Sequence, residues 1–315
     1  MRILTIFIFE MRGRVIKSTG SFYIVQNEVD KVFNCRLKGN IRLKNYRFTN
    51  PVVVGDYVQF SKTEGTEGLI ESIEERKNYI VRKSVNLSKQ AHILASNIDQ
   101  AILMATLTEP KTYPEFIDRY LVTAEAYHIS SVIIFNKVDL HDELLNEELQ
   151  ELVDLYENLG YPCYKISATD NSSLTGIQEL FHSKTSLISG YSGVGKSTLI
   201  NKLDPSLKLT VEEISDYYKS GKHTTTFAEM YKIKDVGYII DTPGIKGLGV
   251  LNIQKEELSH YFLEMRSLLP DCKFNNCVHI DEPNCAVKKA LENGEIHPLR
   301  YKSYLGIYYE EEGYR

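Results

Sequence analysis

Gly190-Tyr191-Ser192-Gly193-Val194-Gly195-Lys196-Ser197, followed by Thr198, carries the strongest fold signal in the sequence. It satisfies G-x-x-x-x-G-K-[ST] in full, and it stands between an apolar run at 185–188 and a helix-forming run at 195–203. A strand that turns through glycines into a helix aims backbone N–H groups at an anion and adds the positive end of the helix dipole. Lys196 then reaches the β and γ phosphates of a nucleotide, and Ser197 offers a hydroxyl to Mg2+. A glycine-rich turn with an incidental lysine is the rival reading, and the strand and helix on either side speak against it.

Strand, loop and helix in this order imply a parallel sheet flanked by helices, and the surrounding chain alternates accordingly. Strands are expected at 101–105, 131–135, 163–166, 226–233 and 237–240, with helices at 114–127 and 142–159. Up to about residue 85 the pattern differs. Short β-branched and aromatic runs at 22–25, 31–37, 52–54, 57–60 and 68–73 are separated by glycine turns. Five strands in that length suggest a small closed barrel of the oligonucleotide-binding (OB) kind, with an SH3-like barrel as the competing form. The segment from about Lys255 reads as helical.

Charge separates the same regions. Residues 11–89 hold 15 Lys/Arg against 8 Asp/Glu, whereas residues 90–315 hold 21 against 33, within a chain of net charge -5. A positive barrel on an acidic body suits an anionic polymer such as RNA, whose phosphates supply most non-specific affinity; a solvated surface with scattered lysines is the bland alternative. With 43% hydrophobic and 25% charged residues, the composition is that of a globular protein, not of a fibre, a disordered chain or a disulfide-dense module. The apolar run at 3–9 is far short of the roughly 20 residues that span a bilayer. It lacks a small-residue cleavage site and leads into Met11, Arg12 and Arg14, so a cytoplasmic location without membrane attachment is expected. Met1 and Met11 are both candidate starts.

Asn136-Lys137-Val138-Asp139, directly after the strand at 131–135, selects the base. A carboxylate at Asp139 accepts two N–H bonds from the guanine edge, and adenine would leave that charge facing an acceptor and a carbon. Asn136 braces the loop and contacts the base, while the stem of Lys137 covers the ring. Ser167-Ala168-Thr169 fits a second base-contacting loop. Asp241-Thr242-Pro243-Gly244 matches D-x-x-G: Asp241 holds Mg2+ through water and the Gly244 N–H senses the γ-phosphate. Between them, Gly221-Lys222-His223-Thr224-Thr225-Thr226 has the polar character of a switch, with Thr225 the candidate to complete the Mg2+ shell.

In the Ras-like fold the phosphate loop comes first and the guanine reader late. Here Asn136 and Ser167 precede Gly190, which precedes Asp241, so the chain is circularly permuted. Such a cut preserves the pocket because the strand connections run over the surface. Beyond it lies Cys272-x4-Cys277-x-His279-x5-Cys285, three thiolates and an imidazole expected to make a closed tetrahedral Zn2+ site with no open catalytic position, with unpaired core cysteines or a redox pair as the alternatives. Five cysteines in all, two of them isolated, do not make a disulfide framework.

Barrel, permuted motifs and cysteine–histidine tail together resemble the bacterial ribosome small-subunit-dependent GTPase A family over nearly the whole chain. The resemblance implies an α/β fold: a circularly permuted P-loop GTPase domain (86–250) with an N-terminal OB-fold barrel (1–85) and a C-terminal helical zinc-binding domain (251–315). It also implies GTP hydrolysis to GDP and phosphate, stimulated by the small ribosomal subunit, in late 30S maturation, with the barrel docking on rRNA. A monomer is expected. Position 245 is Ile where Ras-like enzymes carry the glutamine that positions water, so His223 becomes, with Lys196, a candidate catalytic residue. A nucleotide-regulated RNA adaptor with negligible hydrolysis is the alternative.

Overall fold

The computed structural model describes residues 10–42, 50–82, 92–209, 228–241 and 253–310. In chain order come β1 (Glu10–Ser18), β2 (Tyr23–Asn27), β3 (Val32–Leu37), α1 (Gly39–Arg42), β4 (Tyr57–Lys62), β5 (Glu67–Ile73), β6 (Tyr79–Arg82) and β7 (His92–Ser96). Next are β8 (Gln100–Ala105), α2 (Pro114–Ala126), β9 (Ser130–Phe135), α3 (Glu143–Asn158), β10 (Cys163–Lys165), α4 (Ile177–Phe181), β11 (Thr185–Ser189) and α5 (Lys196–Leu203). Last are β12 (Glu229–Ile233), β13 (Gly237–Asp241), α6 (Leu263–Arg266), α7 (Ala286–Glu292) and α8 (Pro298–Tyr309). They form two compact units, one within Met1–Asp99, Ser183–Leu187 and His223–Pro243, the other within Gln100–His182, Ile188–Lys222 and Gly244–Arg315.

In the first unit β1 pairs antiparallel with both β2 and β4, β2 with β3, and β4 with β5, while β3 runs parallel to β5. The ring β1-β2-β3-β5-β4 is a closed five-stranded barrel of the OB type, which sets aside the SH3-like alternative. Alternation fills it: Phe33, Cys35 and Leu37 point inward from β3 while Val32, Asn34 and Arg36 stay exposed. The Phe33 and Phe60 rings meet inside, with centroids 5.1 Å apart. A bulge between Val15 and Lys17 bends β1, and Lys17 pairs with Glu229 of the β12–β13 hairpin.

Strand β1 escapes the sequence reading because its basic residues break the apolar alternation. Arg12 pairs outside with Glu74 at 2.8 Å. Arg14 turns inward, its guanidinium over the rings of Tyr57 at 5.0 Å and Tyr238 at 4.9 Å, and donates to Thr185 Oγ1 at 2.7 Å. The strand expected at 52–54 is a correction of the opposite kind. Val54 makes only an isolated bridge to Ala95, because the fully buried Asp56 carboxylate takes the Val53 N–H (2.9 Å), Arg76 (2.7 Å) and Ser96 Oγ (2.6 Å). Asp56→Asn puts an amide donor against the guanidinium and should lower the stability of this unit by about 2 kcal/mol, read from its thermal transition.

In the second unit β8, β9 and β10 form a parallel ladder, with Phe135 opposite both Ala105 and Lys165. That register brings the loops after β9 and β10 out along one carboxyl edge, where α/β sheets bind ligands. Burial on both faces explains why β8 is wholly apolar apart from Gln100. Pro114 opens α2, and Asp142 caps α3 by accepting from Leu145 N at 2.9 Å. A separate apolar cluster gathers Phe262, Met265, Val287, Tyr304 and Ile307 with Val122 of α2.

Candidate functional site

Asn136 organises the carboxyl edge. It is buried; its Nδ2 donates to the Val194 carbonyl and its Oδ1 accepts from Ala168 N, both at 2.8 Å. One side-chain amide therefore joins the phosphate loop to the Ser167-Ala168-Thr169 loop. The approach is so close that a β-carbon at Gly195 (φ +106°) would stand 2.2 Å from Asn136 Nδ2. At Gly190 (φ +144°) a β-carbon would meet the Met104 carbonyl at 2.4 Å, so the loop accepts only glycine at both positions.

Lys196 Nζ donates to the carbonyls of Gly190 (2.8 Å) and Tyr191 (2.9 Å), so the loop holds its own ammonium across its mouth. The Tyr191 ring lies 4.4 Å from that of Phe116 at the start of α2. Lys137 adopts a left-handed backbone (φ +66°) and its ammonium donates to the Glu109 carbonyl at 2.7 Å. Asp139 sits in the short 3-10 turn Val138–Leu140; it is exposed and, among the described residues, accepts no hydrogen bond.

These groups share a cleft of about 420 Å3. Asn136, Lys137 and Asp139 line it together with Ser167, Ala168 and Thr169, and with Ser192, Gly193, Gly195, Lys196, Ser197 and Thr198. Val138, Gly190, Tyr191 and Val194 build the same loops without lining it. Leu140 lines it too, and only its place beside Asp139 hints at that. Asp241 ends β13 and is buried there, within the other unit. His223, Thr225 and Gly244 lie outside the described residues.

The second constellation unites Cys272, Cys277, His279 and Cys285, whose ligand atoms all lie within 4.8 Å of one another. His279 Nδ1 is 3.7 Å from Cys272 Sγ and 3.3 Å from Cys285 Sγ. Bonds of about 2.3 Å to sulfur and about 2.0 Å to nitrogen give a tetrahedral edge of about 3.5 Å, so the donor set fits Zn2+. Burial pushes the Cys277 thiol up to about 12 and the Cys285 thiol upward, and it lowers the His279 imidazole. A bound cation would supply the charge that lets thiolates persist in such surroundings. Cys285 also caps α7, its sulfur accepting from Lys288 N at 3.5 Å.

The chain is similar to known proteins over nearly its full length. The family model described as RsgA GTPase matches residues 73–251, and that described as RsgA N-terminal domain matches residues 12–70. A Christiangramia forsetii protein named small ribosomal subunit biogenesis GTPase RsgA is 52% identical over 309 residues, covering 97% of this chain and 98% of the relative. A Bacteroides fragilis protein of the same name is 50% identical, covering 96% and 97%. Among solved structures, YjeQ from Thermotoga maritima superposes with a TM-score of 0.79 at 36% identity, covering 96% of this chain and 98% of its own. YloQ, described as a circularly permuted GTPase, does so with a TM-score of 0.74 at 32% identity, covering 98% and 96%. Family models over barrel and nucleotide-binding region, and half-identical relatives over almost the full length, place this chain in the RsgA GTPase family.

Proposed function

We propose that this chain binds GTP, hydrolyses it to GDP and phosphate, and acts in biogenesis of the small ribosomal subunit, whose docking stimulates the reaction. The observation that carries the proposal is the Asn136 amide, which ties the phosphate loop to a base-reading loop so that Asp139 and Lys196 face one cleft. The name that the relatives bear, small ribosomal subunit biogenesis GTPase, supports the biological role.

In this reading the Asp139 carboxylate accepts the guanine N1–H and 2-amino protons, and the Lys137 stem lies on the ring. Lys196 exchanges its two loop carbonyls for phosphate oxygens, a substitution that keeps the ammonium solvated throughout. Ser197, and by the sequence pattern Thr225 and Asp241, are the residues that would hold Mg2+. When bound, the ion supplies charge neutralisation on the β and γ phosphates. Ile245 has no group able to orient water, and His223 is the candidate to do so once the subunit has docked. The cysteine–histidine cluster holds a structural Zn2+, the positive barrel contacts rRNA, and the protein works as a cytoplasmic monomer. The division 1–85, 86–250 and 251–315 assigns these tasks to barrel, GTPase domain and zinc domain.

The test is GTP turnover with small subunits, large subunits or neither, at one stated salt concentration because phosphate contacts are salt-sensitive. Only small subunits should raise it, and His223→Ala should reduce the stimulated rate by about 100-fold. Equal turnover in all three conditions would favour the RNA adaptor instead; unchanged stimulation in His223→Ala would remove that residue from the mechanism.

A further inference from the structure

A histidine that ligates a metal through one ring nitrogen normally donates through the other to a carboxylate or carbonyl, and that bond orients the ring. His279 departs from this. Its Nδ1 faces the sulfurs, and its Nε2 is buried with no hydrogen-bond partner among the described residues. The residue also holds a left-handed backbone (φ +60°), which a β-carbon disfavours. Something other than the ring must fix the ring.

The neighbouring backbone is where the fixing occurs. One carboxylate, that of Glu282, accepts from Val278 N at 2.6 Å and from Ile280 N at 2.9 Å, closing over the residue between them. From α8, Tyr304 donates its hydroxyl to the Val278 carbonyl and Tyr301 to the His279 carbonyl, both at 2.7 Å. Four side-chain hydrogen bonds from residues outside the cluster thus hold the backbone around one ligand. We propose that Glu282, assisted by Tyr301 and Tyr304, is a positioning residue for the metal, holding His279 by its main chain in the ligating conformation in place of the usual hydrogen bond to its ring.

The inference rests on the reading of the cluster as a Zn2+ site. Glutamine at 282 keeps one acceptor but turns an amide donor toward a backbone N–H, so Glu282→Gln opens the collar at nearly constant volume. Zn2+ release from the full-length protein to a coloured chelator should be about tenfold faster in Glu282→Gln, and Co2+ affinity about tenfold lower. The visible ligand-field bands of the Co2+ form should move toward those of His279→Ala. Tyr301→Phe, which removes a single hydroxyl, should shift the same quantities by about threefold and carries the test should Glu282→Gln fail to fold. Wild-type Co2+ affinity and bands in the folded variants would overturn the inference, even where they melt at lower temperature. A wild-type protein that takes up neither metal would instead overturn the reading of the cluster itself.

Discussion

Asp139→Asn should weaken GTP binding by about 100-fold to 1,000-fold and should shift the preference toward xanthosine 5′-triphosphate. The guanine edge presents two donors, N1–H and the 2-amino group, and a carboxylate offers an acceptor to each. An asparagine amide offers one acceptor and one donor, so a donor meets a donor where a charge-assisted bond had been. Xanthine carries a carbonyl at C2, which pairs with the amide N–H and restores the second bond. The resting chain makes no demand on this carboxylate: Asp139 is exposed and accepts no hydrogen bond among the described residues. The melting temperature should therefore stay within about 1 °C of wild type, as for a surface substitution away from structural contacts. Titrations with fluorescent GTP, ATP and XTP at fixed Mg2+ separate the outcomes. An unchanged preference for GTP in the variant would mean that another group reads the base, and the assignment of the cleft would fail with it.

Contiguity decides how much of this was readable from the chain alone. The phosphate loop, the N-K-x-D element and the cysteine–histidine spacing are local, since each sets the backbone path and the chemistry within 14 residues or fewer. Their convergence follows from the parallel register, in which Phe135 lies opposite both Ala105 and Lys165 and sends two loops out on one edge. Strand β1 hides behind Arg12 and Arg14, whose partners Glu74, Tyr57 and Tyr238 are far off in sequence. Strands β6 and β7 pair antiparallel with each other on either side of the stretch near 84–92, where the change of pattern suggests only a boundary. Around His279, Glu282 is three residues away and could have been noticed as a carboxylate beside a ligand. Tyr301 and Tyr304 could not, because a tyrosine hydroxyl 22 or 26 residues downstream of the carbonyl it binds announces nothing until α8 is seen to pass the cluster. Lys137 is legible as a motif residue, yet its Glu109 partner depends on the path of an irregular loop.

Arg300→Met should destabilise the second unit by about 3–5 kcal/mol, the usual loss when a buried ion pair is left with one partner. Arg300 is fully buried in α8; Nε and Nη2 grip the Glu264 carboxylate at 2.6 and 3.1 Å, and Nη1 reaches Asp118 Oδ1 of α2 at 2.6 Å. Tyr156 of α3 donates to the same Asp118 oxygen at 3.0 Å, and the Phe262 ring lies 4.7 Å from the guanidinium carbon. Burial works against the charge on Arg300, but Asp118 and Glu264 overcome it and hold the guanidinium well above its ordinary value. Methionine matches the length of the arginine stem and supplies no donor, so the buried Asp118 and the part-buried Glu264 carboxylates would both lose their counter-charge. What is lost is the penalty of those stranded charges, not the worth of an attraction. Urea unfolding followed at the second unit's transition checks the single variant. Combining Arg300→Met with Asp118→Leu and Glu264→Leu removes the stranded charges and should recover more than half of the loss, as apolar replacement of a whole buried charge group does elsewhere. A triple variant no more stable than Arg300→Met would show that the geometry of these hydrogen bonds, which reaches from α8 to α2 and α3, holds the C-terminal helices more firmly than apolar contact can.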